Sequence, residues 1–465
     1  LNRAFFNHLA KEYRQHMQIP EINRRKFIQT AGLGALAYAA LPKIAWSWDD
    51  IPSRTGKIVT GRKLNIACIG VGGQGRRDLD QITSENIVAL CDIDPMRAKK
   101  SFEKYPDAKK YKDFRVMLME MDDQIDAVTI STPDHMHFAA AMMAIKMGKH
   151  VFVQKPLTHT IAEARALTEA ARKHKVMTQM GIQGHSFDGI RRMREWYKAR
   201  AIGEINEVHI WTNRPVWPQG DRPLAPAQEV PAHIDWNLWQ GIAAERPYNS
   251  AYMPFAWRGW SEYGCGALGD IGCHAMDCPF DVLDLSNPTS VEAVCGPQSE
   301  WSFPEWSIVT YQFPATAERG PIKLVWYDGN KFPERPQELE ASRKLPSGDG
   351  GQLWYGTEGT IMISDIYCKA ARLIPQSAWV DFAKNRMPEE TEKPSIGHKE
   401  EWIEACKGGE PAQANFDYAG PLTEMVLLGN LAVRFGKKIE WDPKNMVCTN
   451  VPEANTLVRK KYRKY

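Results

Sequence analysis

Residues 64–69 form an apolar run that leads directly into Gly70-x-Gly72-x-x-Gly75, and a second such run, residues 87–91, stops on Asp92, 22 positions beyond Gly70. Few patterns constrain a fold as tightly. Glycines at these spacings let a strand turn sharply into a helix and let a pyrophosphate approach backbone N–H groups. An acid at the end of the second strand stands where it can accept hydrogen bonds from two ribose hydroxyls. Strand, glycine turn, helix and acid in this order predict a Rossmann dinucleotide-binding domain. The residues expected at its cofactor are Gly70, Gly72, Gly73, Gln74, Gly75, Arg76 and Asp92. The carboxylate at 92 would repel a 2′-phosphate, so the cofactor expected is NAD.

From residue 63 onward, strand and helix patterns alternate as a parallel sheet requires. Strands are expected at 126–132, 150–153 and 176–180, and helices at 136–147 and 161–174. The chain has 465 residues, too many for one ordinary core. The dinucleotide domain is placed at 63–180 and a second domain at 181–440. The second domain opens with a helix at 187–200 and a strand at 207–212. Residues 215–256 then show little periodicity and many Pro, Trp and Asn residues. A long irregular stretch of this kind is functional or runs over the surface. The β-rich runs 290–295, 307–313, 323–328, 353–356 and 360–364 predict a large open, mostly antiparallel sheet in an α+β domain. Helices at 398–407 and 418–435 complete it. Residues 441–465 read as a tail, and its basic end, 459–465, reads as solvated.

With 59 basic against 56 acidic residues and no long basic run, no nucleic-acid groove is expected. Nine cysteines without a CxxC pair suggest neither a disulfide framework nor a metal site, although Cys265, Cys273 and Cys278 flank His274. Near the start, Arg24-Arg25-Lys26-Phe27-Ile28 precedes a mild apolar stretch broken by Gly, Pro and Lys, a poor spanning helix. This segment resembles a bacterial twin-arginine export signal, whose pathway carries proteins already folded. Residues 1–47 therefore read as an export signal and 48–62 as a linker. A periplasmic or otherwise exported protein without a membrane anchor is expected.

Three further motifs follow strand ends or start a helix. They are Ser131-Thr132-Pro133-Asp134-His135-Met136-His137, Gln154-Lys155-Pro156, and a segment running from Gly266 through Asp270 to His274. With the glycine turn, and in this order, they resemble the glucose–fructose oxidoreductase and inositol dehydrogenase family, Gfo/Idh/MocA, over about residues 63–440. The resemblance implies a nicotinamide cofactor in the first domain and a sugar or polyol held against the second domain's sheet. It also implies a homo-oligomer formed through that sheet. By the same resemblance Lys155 orients or polarises the reacting oxygen, and His274 acts as general base with Asp270 beside it. Ser131, Thr132, Pro133, His137 and Lys155 would border the cofactor. The chain departs from the family pattern at Gln154, where Glu is usual, and so lacks one negative charge beside Lys155.

Elementary chemistry agrees with these roles. Moving a hydride from a carbinol carbon requires a base for the hydroxyl proton and a cation or donor near the developing alkoxide. His is the natural base near neutral pH. Asp270 and His274 are four apart, so on a helix they share a face. His185 is the next candidate base, since Gln183-Gly184-His185 follows the last strand of the first domain. Asn213, Arg214, Trp217, Trp257 and Arg258 offer the aromatic faces and forked donors that bind sugars, and Gln183 and His185 join them as substrate contacts. Two activities share the first hydride transfer. One is an NAD-dependent oxidoreductase acting on a sugar, glycoside or polyol with tightly held cofactor. The other is an NAD-assisted glycosidase that passes through a transient 3-keto sugar, elimination and addition. The residues do not separate them.

Overall fold

The computed structural model describes residues 51–465; the export signal expected at 1–47 and the first residues of the linker lie outside them. Apart from its exposed edge strand, the first sheet is built from short strands largely buried on both faces, as parallel strands covered by helices must be. In chain order its elements are β1 (Asn65–Ile69), α1 (Gln74–Asp80), β2 (Asn86–Cys91), α2 (Pro95–Lys104), β3 (Lys109–Tyr111), α3 (Phe114–Glu120), β4 (Ala127–Ile130), α4 (Asp134–Lys146), β5 (His150–Val153), α5 (Ile161–His174) and β6 (Thr178–Met180). All pairings are parallel, in the order β3-β2-β1-β4-β5-β6. That is the Rossmann order, with the switch in direction beside β1, where ligands bind. Local chemistry fixes the helix ends. In α5, for example, Thr160 and Glu163 form a reciprocal capping box, and the helix stops at Lys175 in the left-handed region.

The second layer follows with α6 (Asp188–Lys198), β7 (Ile205–Thr212), α7 (Trp236–Gln240), α8 (Gly266–Ala275), α9 (Asp277–Val282), β8 (Ser290–Cys295), β9 (Ser307–Phe313), β10 (Ile322–Tyr327), β11 (Gly350–Gly356), β12 (Gly359–Ile363), β13 (Ala371–Ile374), α10 (Gln376–Asp381), α11 (His398–Cys406), α12 (Phe416–Phe435), β14 (Ile439–Asp442) and β15 (Val447–Cys448). The nine strands run β13-β12-β11-β7-β10-β9-β8-β14-β15. Only β7 and β10 pair in parallel within this sheet. Alternating burial along β9 marks one covered face, and α12 packs on β8 and β9 from that side while touching α5 and α8. The irregular stretch after β7 is organised by its aromatics. Trp236, Trp239, Tyr252, Trp257, Trp260 and Tyr263 form a separate buried cluster against which Ile93 of the first domain packs.

Three segments depart from the sequence expectation. Helix α11 was assigned to the second domain, yet Trp402, Ile403 and Cys406 share a core with Ile66, Cys68 and Phe152 of the first sheet. The linker residues are not free either. The backbone N–H groups of Arg54, Gly56 and Val59 donate to carbonyls of Lys146, His174 and Cys406. The tail expected from 441 completes β14 and forms β15, and its basic end packs on both domains. No helix among the described residues is long and apolar enough to cross a membrane.

Candidate active site

The C-terminal ends of β1, β2, β4 and β5 open on a cavity of about 720 Å³, within the roughly 300–1,000 Å³ usual for ligand pockets. Gly70, Gly72, Gly73, Gln74 and Arg76 line it. Gly70 has φ +76°, and a Cβ there would stand 2.7 Å from the Ser131 carbonyl oxygen. Gly75 does not reach the cavity. A Cβ at 75 would fall 1.7 Å from the Gly70 oxygen, so this glycine serves strand–helix contact rather than the ligand. No side chain caps the first turn of α1. Arg76, Arg77 and Arg97 line the same stretch, and the Arg97 guanidinium lies over Gly73. Uncapped helix-start N–H groups and positive charge beside them fit a pyrophosphate.

Asp92 borders the cavity, but its carboxylate also braces the turn. Oδ2 accepts from the N–H of Val71 at 2.9 Å and of Gly72 at 3.1 Å, and Oδ1 from that of Asp94 at 3.0 Å. Burial pushes its pKa up against the pull of these three bonds. Ser131, Thr132 and Pro133 line the middle of the cavity. His137, expected beside them, faces away. Its Nδ1 lies 2.8 Å from the Pro156 oxygen and its Nε2 2.9 Å from the Thr132 oxygen, so it ties the two strand-end turns together.

At the far end Lys155, Arg258, His274 and Tyr367 converge. Lys155 Nζ donates to Asp270 Oδ1 at 2.9 Å and to the Asp270 carbonyl at 2.6 Å. Arg258 Nε donates to the same Oδ1 at 2.9 Å. Burial alone would raise the Asp270 carboxyl, but the Lys155 and Arg258 charges reverse this and hold it at about 2. Asp270 is therefore a charged anchor for two cations, set just behind the cavity wall. No hydrogen bond joins it to His274, although the four-residue spacing suggested one; its Oδ1 holds the two cations, and His274 Nδ1 has no partner. His274 lines the cavity with Nδ1 buried and without a partner, and its ring meets Tyr367 edge-on at 5.1 Å. Burial, reinforced by the Lys155 charge, pushes this imidazole down to about 3 and keeps it neutral.

Of the expected substrate contacts, Gln183, Trp257 and Arg258 line the cavity. The others are used elsewhere. His185 turns inward on a 3-10 turn, where Nδ1 lies 2.9 Å from Asp277 Oδ1 and the ring packs on Tyr418. That also removes it as the alternative base. Arg214 is held by Asn213 and Asp349, and neither Asn213 nor Arg214 reaches the cavity. Trp217 is buried behind Arg258, whose guanidinium lies 4.2 Å from the Trp257 ring centroid and 5.8 Å from that of Trp217. Asp134 was missed. It is 1% exposed at the start of α4, lines the cavity, and leaves Oδ2 unpartnered. Burial, with repulsion from Asp270, raises its pKa to about 7. The signal for it was its place in the Thr-Pro motif, one residue past a strand-end turn.

The same two-domain arrangement is found in known proteins. Residues 64–182 match the NAD-binding Rossmann fold of an oxidoreductase family, and residues 204–329 match that family's C-terminal alpha/beta domain. Together the two matches span more than half of the sequence. The chain belongs to the Gfo/Idh/MocA oxidoreductase family. The first domain of this Gfo/Idh/MocA chain is accordingly an NAD-binding Rossmann domain, and its glycine turn and arginines fit that cofactor. An inositol 2-dehydrogenase of Salmonella typhimurium is 30% identical over 183 residues, 38% of this chain and 54% of that protein. A D-glucoside 3-dehydrogenase of Escherichia coli is 26% identical over 269 residues, 54% of this chain and 65% of that protein. The chain thus spans less than two thirds of the length of either relative. The crystal structure of the WlbA dehydrogenase from Bordetella pertussis, in complex with NADH and UDP-GlcNAcA, superposes with a TM-score of 0.58 at 15% identity. It covers 82% of this chain and 99% of that one, a likeness of fold.

Proposed function

We propose that this chain is an NAD-dependent oxidoreductase that moves a hydride at a secondary hydroxyl carbon of a carbohydrate or polyol. The observation that carries the proposal is the content of one cavity. A glycine turn fitted to a dinucleotide shares it with Lys155, anchored on Asp270, and with a neutral, unpartnered His274. NAD held through its pyrophosphate at that turn would supply the hydride acceptor. His274 accepts the hydroxyl proton on its neutral imidazole, and negative charge growing on the substrate oxygen raises its proton affinity as transfer proceeds. Lys155 donates to that oxygen and stabilises the charge, while Asp270 fixes the ammonium in place. Trp257 offers a flat apolar face for ring C–H groups, and Arg258 offers donors for hydroxyls. The names of the relatives, one acting on inositol and one on a glucoside, support a cyclic polyol or sugar as substrate.

Rapid mixing of the NAD-loaded protein with a panel of inositols, free sugars and glycosides tests the proposal. The absorbance of reduced nicotinamide should rise with at least one compound. Silence across the panel by NAD-loaded, folded protein would overturn the proposal. Release of an aglycone without lasting reduction would instead assign net hydrolysis through oxidation, elimination, addition and reduction.

Export by the twin-arginine route belongs to the same reading, on the Arg24-Arg25-Lys26-Phe27 sequence. Joining residues 1–50 to a folded reporter tests it, and a reporter left in the cytoplasm would count against it. Association through the open face of the second sheet completes the reading. That face carries the stacked His209 and Tyr327 rings and the exposed Val294. Sedimentation of the native protein reads its oligomeric state.

A further inference from the structure

Residues 459–465 read Arg-Lys-Lys-Tyr-Arg-Lys-Tyr, a composition that suggests a solvated end. The structure places them otherwise. The Tyr462 ring stacks on Phe138 of α4 at 5.7 Å, and Lys460 Nζ lies 3.3 Å from His159 Nδ1. Arg463 grips α7 and the turn after it. Its Nη1 donates to Asn237 Oδ1 at 2.7 Å, its Nη2 to the Asn237 carbonyl at 2.8 Å, and its Nε to the Gly241 carbonyl at 3.1 Å. Its backbone N–H donates to the Ile242 carbonyl at 3.1 Å. Two residues on, Tyr465 lies over the Arg115 guanidinium of α3 at 4.1 Å and accepts a 2.6 Å bond from Arg115 Nη1 on its backbone oxygen. Arg115 in turn donates to both oxygens of Asp113. The segment therefore ties the excursion of the second domain to the first domain.

It does so at one end of the cavity. The glycine turn divides that cavity. Lys155, His274 and Tyr367 stand on one side of the turn. On the other stand Asp92, Ile93, Lys112, Asp113, Phe114 and Tyr465. Leu238 and Trp239 of α7, the helix that Arg463 grips, also line the cavity. A dinucleotide whose pyrophosphate rests on the turn lays its adenosine toward the ends of β2 and β3. We propose that residues 459–465 complete the binding site for the adenosine half of the cofactor. Tyr465 supplies an aromatic wall, and Arg463 holds α7 in place as the facing wall. No motif marks this segment as cofactor-binding. Such walls would slow loss of the cofactor, because adenosine would leave only when the Arg463 bonds to α7 or the Tyr465 contact to Arg115 opens. The inference rests on the NAD-binding reading above.

The test is the release rate of NAD from the full chain. Protein loaded with NAD is desalted into a large excess of cofactor-free buffer, and the nucleotide still bound is measured against time. Arg463→Ala and Tyr465→Ala should each release NAD about tenfold faster or more, through lost bonds and lost packing. Lys444→Ala, an exposed position outside this segment, should match the unaltered protein. Melting of the cofactor-free variants checks that they fold, and Arg463→Lys, which keeps the charge but loses the fork, provides a milder probe. Release at the unaltered rate from folded Arg463→Ala and Tyr465→Ala protein would overturn the proposal while leaving NAD binding intact. Failure of the unaltered protein to hold NAD at all would instead overturn the reading beneath it.

Discussion

His274 combines a place on the cavity wall, burial and a neutral ring, and each follows from its position on α8. Replacing it with Ala should slow single-turnover nicotinamide reduction by roughly 10²–10⁴-fold while NAD stays bound. Near-normal transfer by the folded variant would move the base elsewhere, with Asp134 the first place to look. Asp270 has a different task. Asp270→Ala leaves the Lys155 and Arg258 cations facing each other without their shared carboxylate, both less than a quarter exposed. The loss should be about 2–4 kcal/mol, read by urea unfolding, together with slower hydride transfer. Much of this site was legible in the sequence, because glycine spacing and strand-end position determine what can face the ligand. His137, His185, Asn213, Arg214 and Trp217 were not separable from true cavity residues. Each sits near a strand end or in the excursion, and a local turn or a partner such as Asp277 or Asp349 decides which way the side chain points. Asp134 was hidden for the same reason, since a carboxylate at a helix start ordinarily reads as a favourable dipole partner.

Three elements meet at Asp78. Its carboxylate, on α1, accepts from Gln154 Nε2 at the end of β5 at 3.0 and 3.1 Å and from Ser131 Oγ beyond β4 at 2.6 Å. Lys399 of α11 lies 3.3 Å away, buried with its ammonium against the Phe152 ring. The negative charge missing at 154 is thus present at 78, supplied by a different element and neutralised by a lysine from a third. Gln154→Glu would press a second carboxylate against Asp78 and should cost about 2 kcal/mol of stability. Asp78→Asn combined with Gln154→Glu restores one acceptor and one donor and should recover most of that loss. Thermal melting of both singles and the double measures it. A double no better than the worse single would refute the exchange. The strands and helices expected from the sequence lie within a few residues of those observed, since burial on two faces or one leaves its own period in the sequence, whereas β3, β13, α2, α3, α9 and α10 were not expected. Where α11 packs was not readable. An apolar helix face shows that something covers it, and both sheets offer an apolar surface.

Over the whole molecule, buried titratable groups set the response to acid. Burial holds His135, His274 and His398 at about 3 and His137 at about 4, all well below an exposed imidazole. Between about pH 4.5 and 6 these four rings are neutral when folded and protonated when unfolded, so they make stability fall as pH falls. Asp134 and Asp328, raised by burial to about 7, act in the opposite sense across that window, being protonated when folded and ionised when unfolded. With His159 also held well below its ordinary value by burial, the lowered imidazoles outnumber these two carboxyls, so unfolding should take up protons and stability should fall on acidification, a slope that urea melts at several pH values can check. Helix α11 has another consequence. The chain leaves the first sheet after β6, builds nearly all of the second, and returns to seal the first core with Trp402. A gene fragment ending at residue 182 would thus encode a nucleotide-binding half with an open seam and Asp78 without Lys399. Recombination between cousins of this protein should succeed when the exchanged piece carries the stretch around 398–406 along with 63–180, and fail when the crossover treats the first half as a self-sufficient cassette.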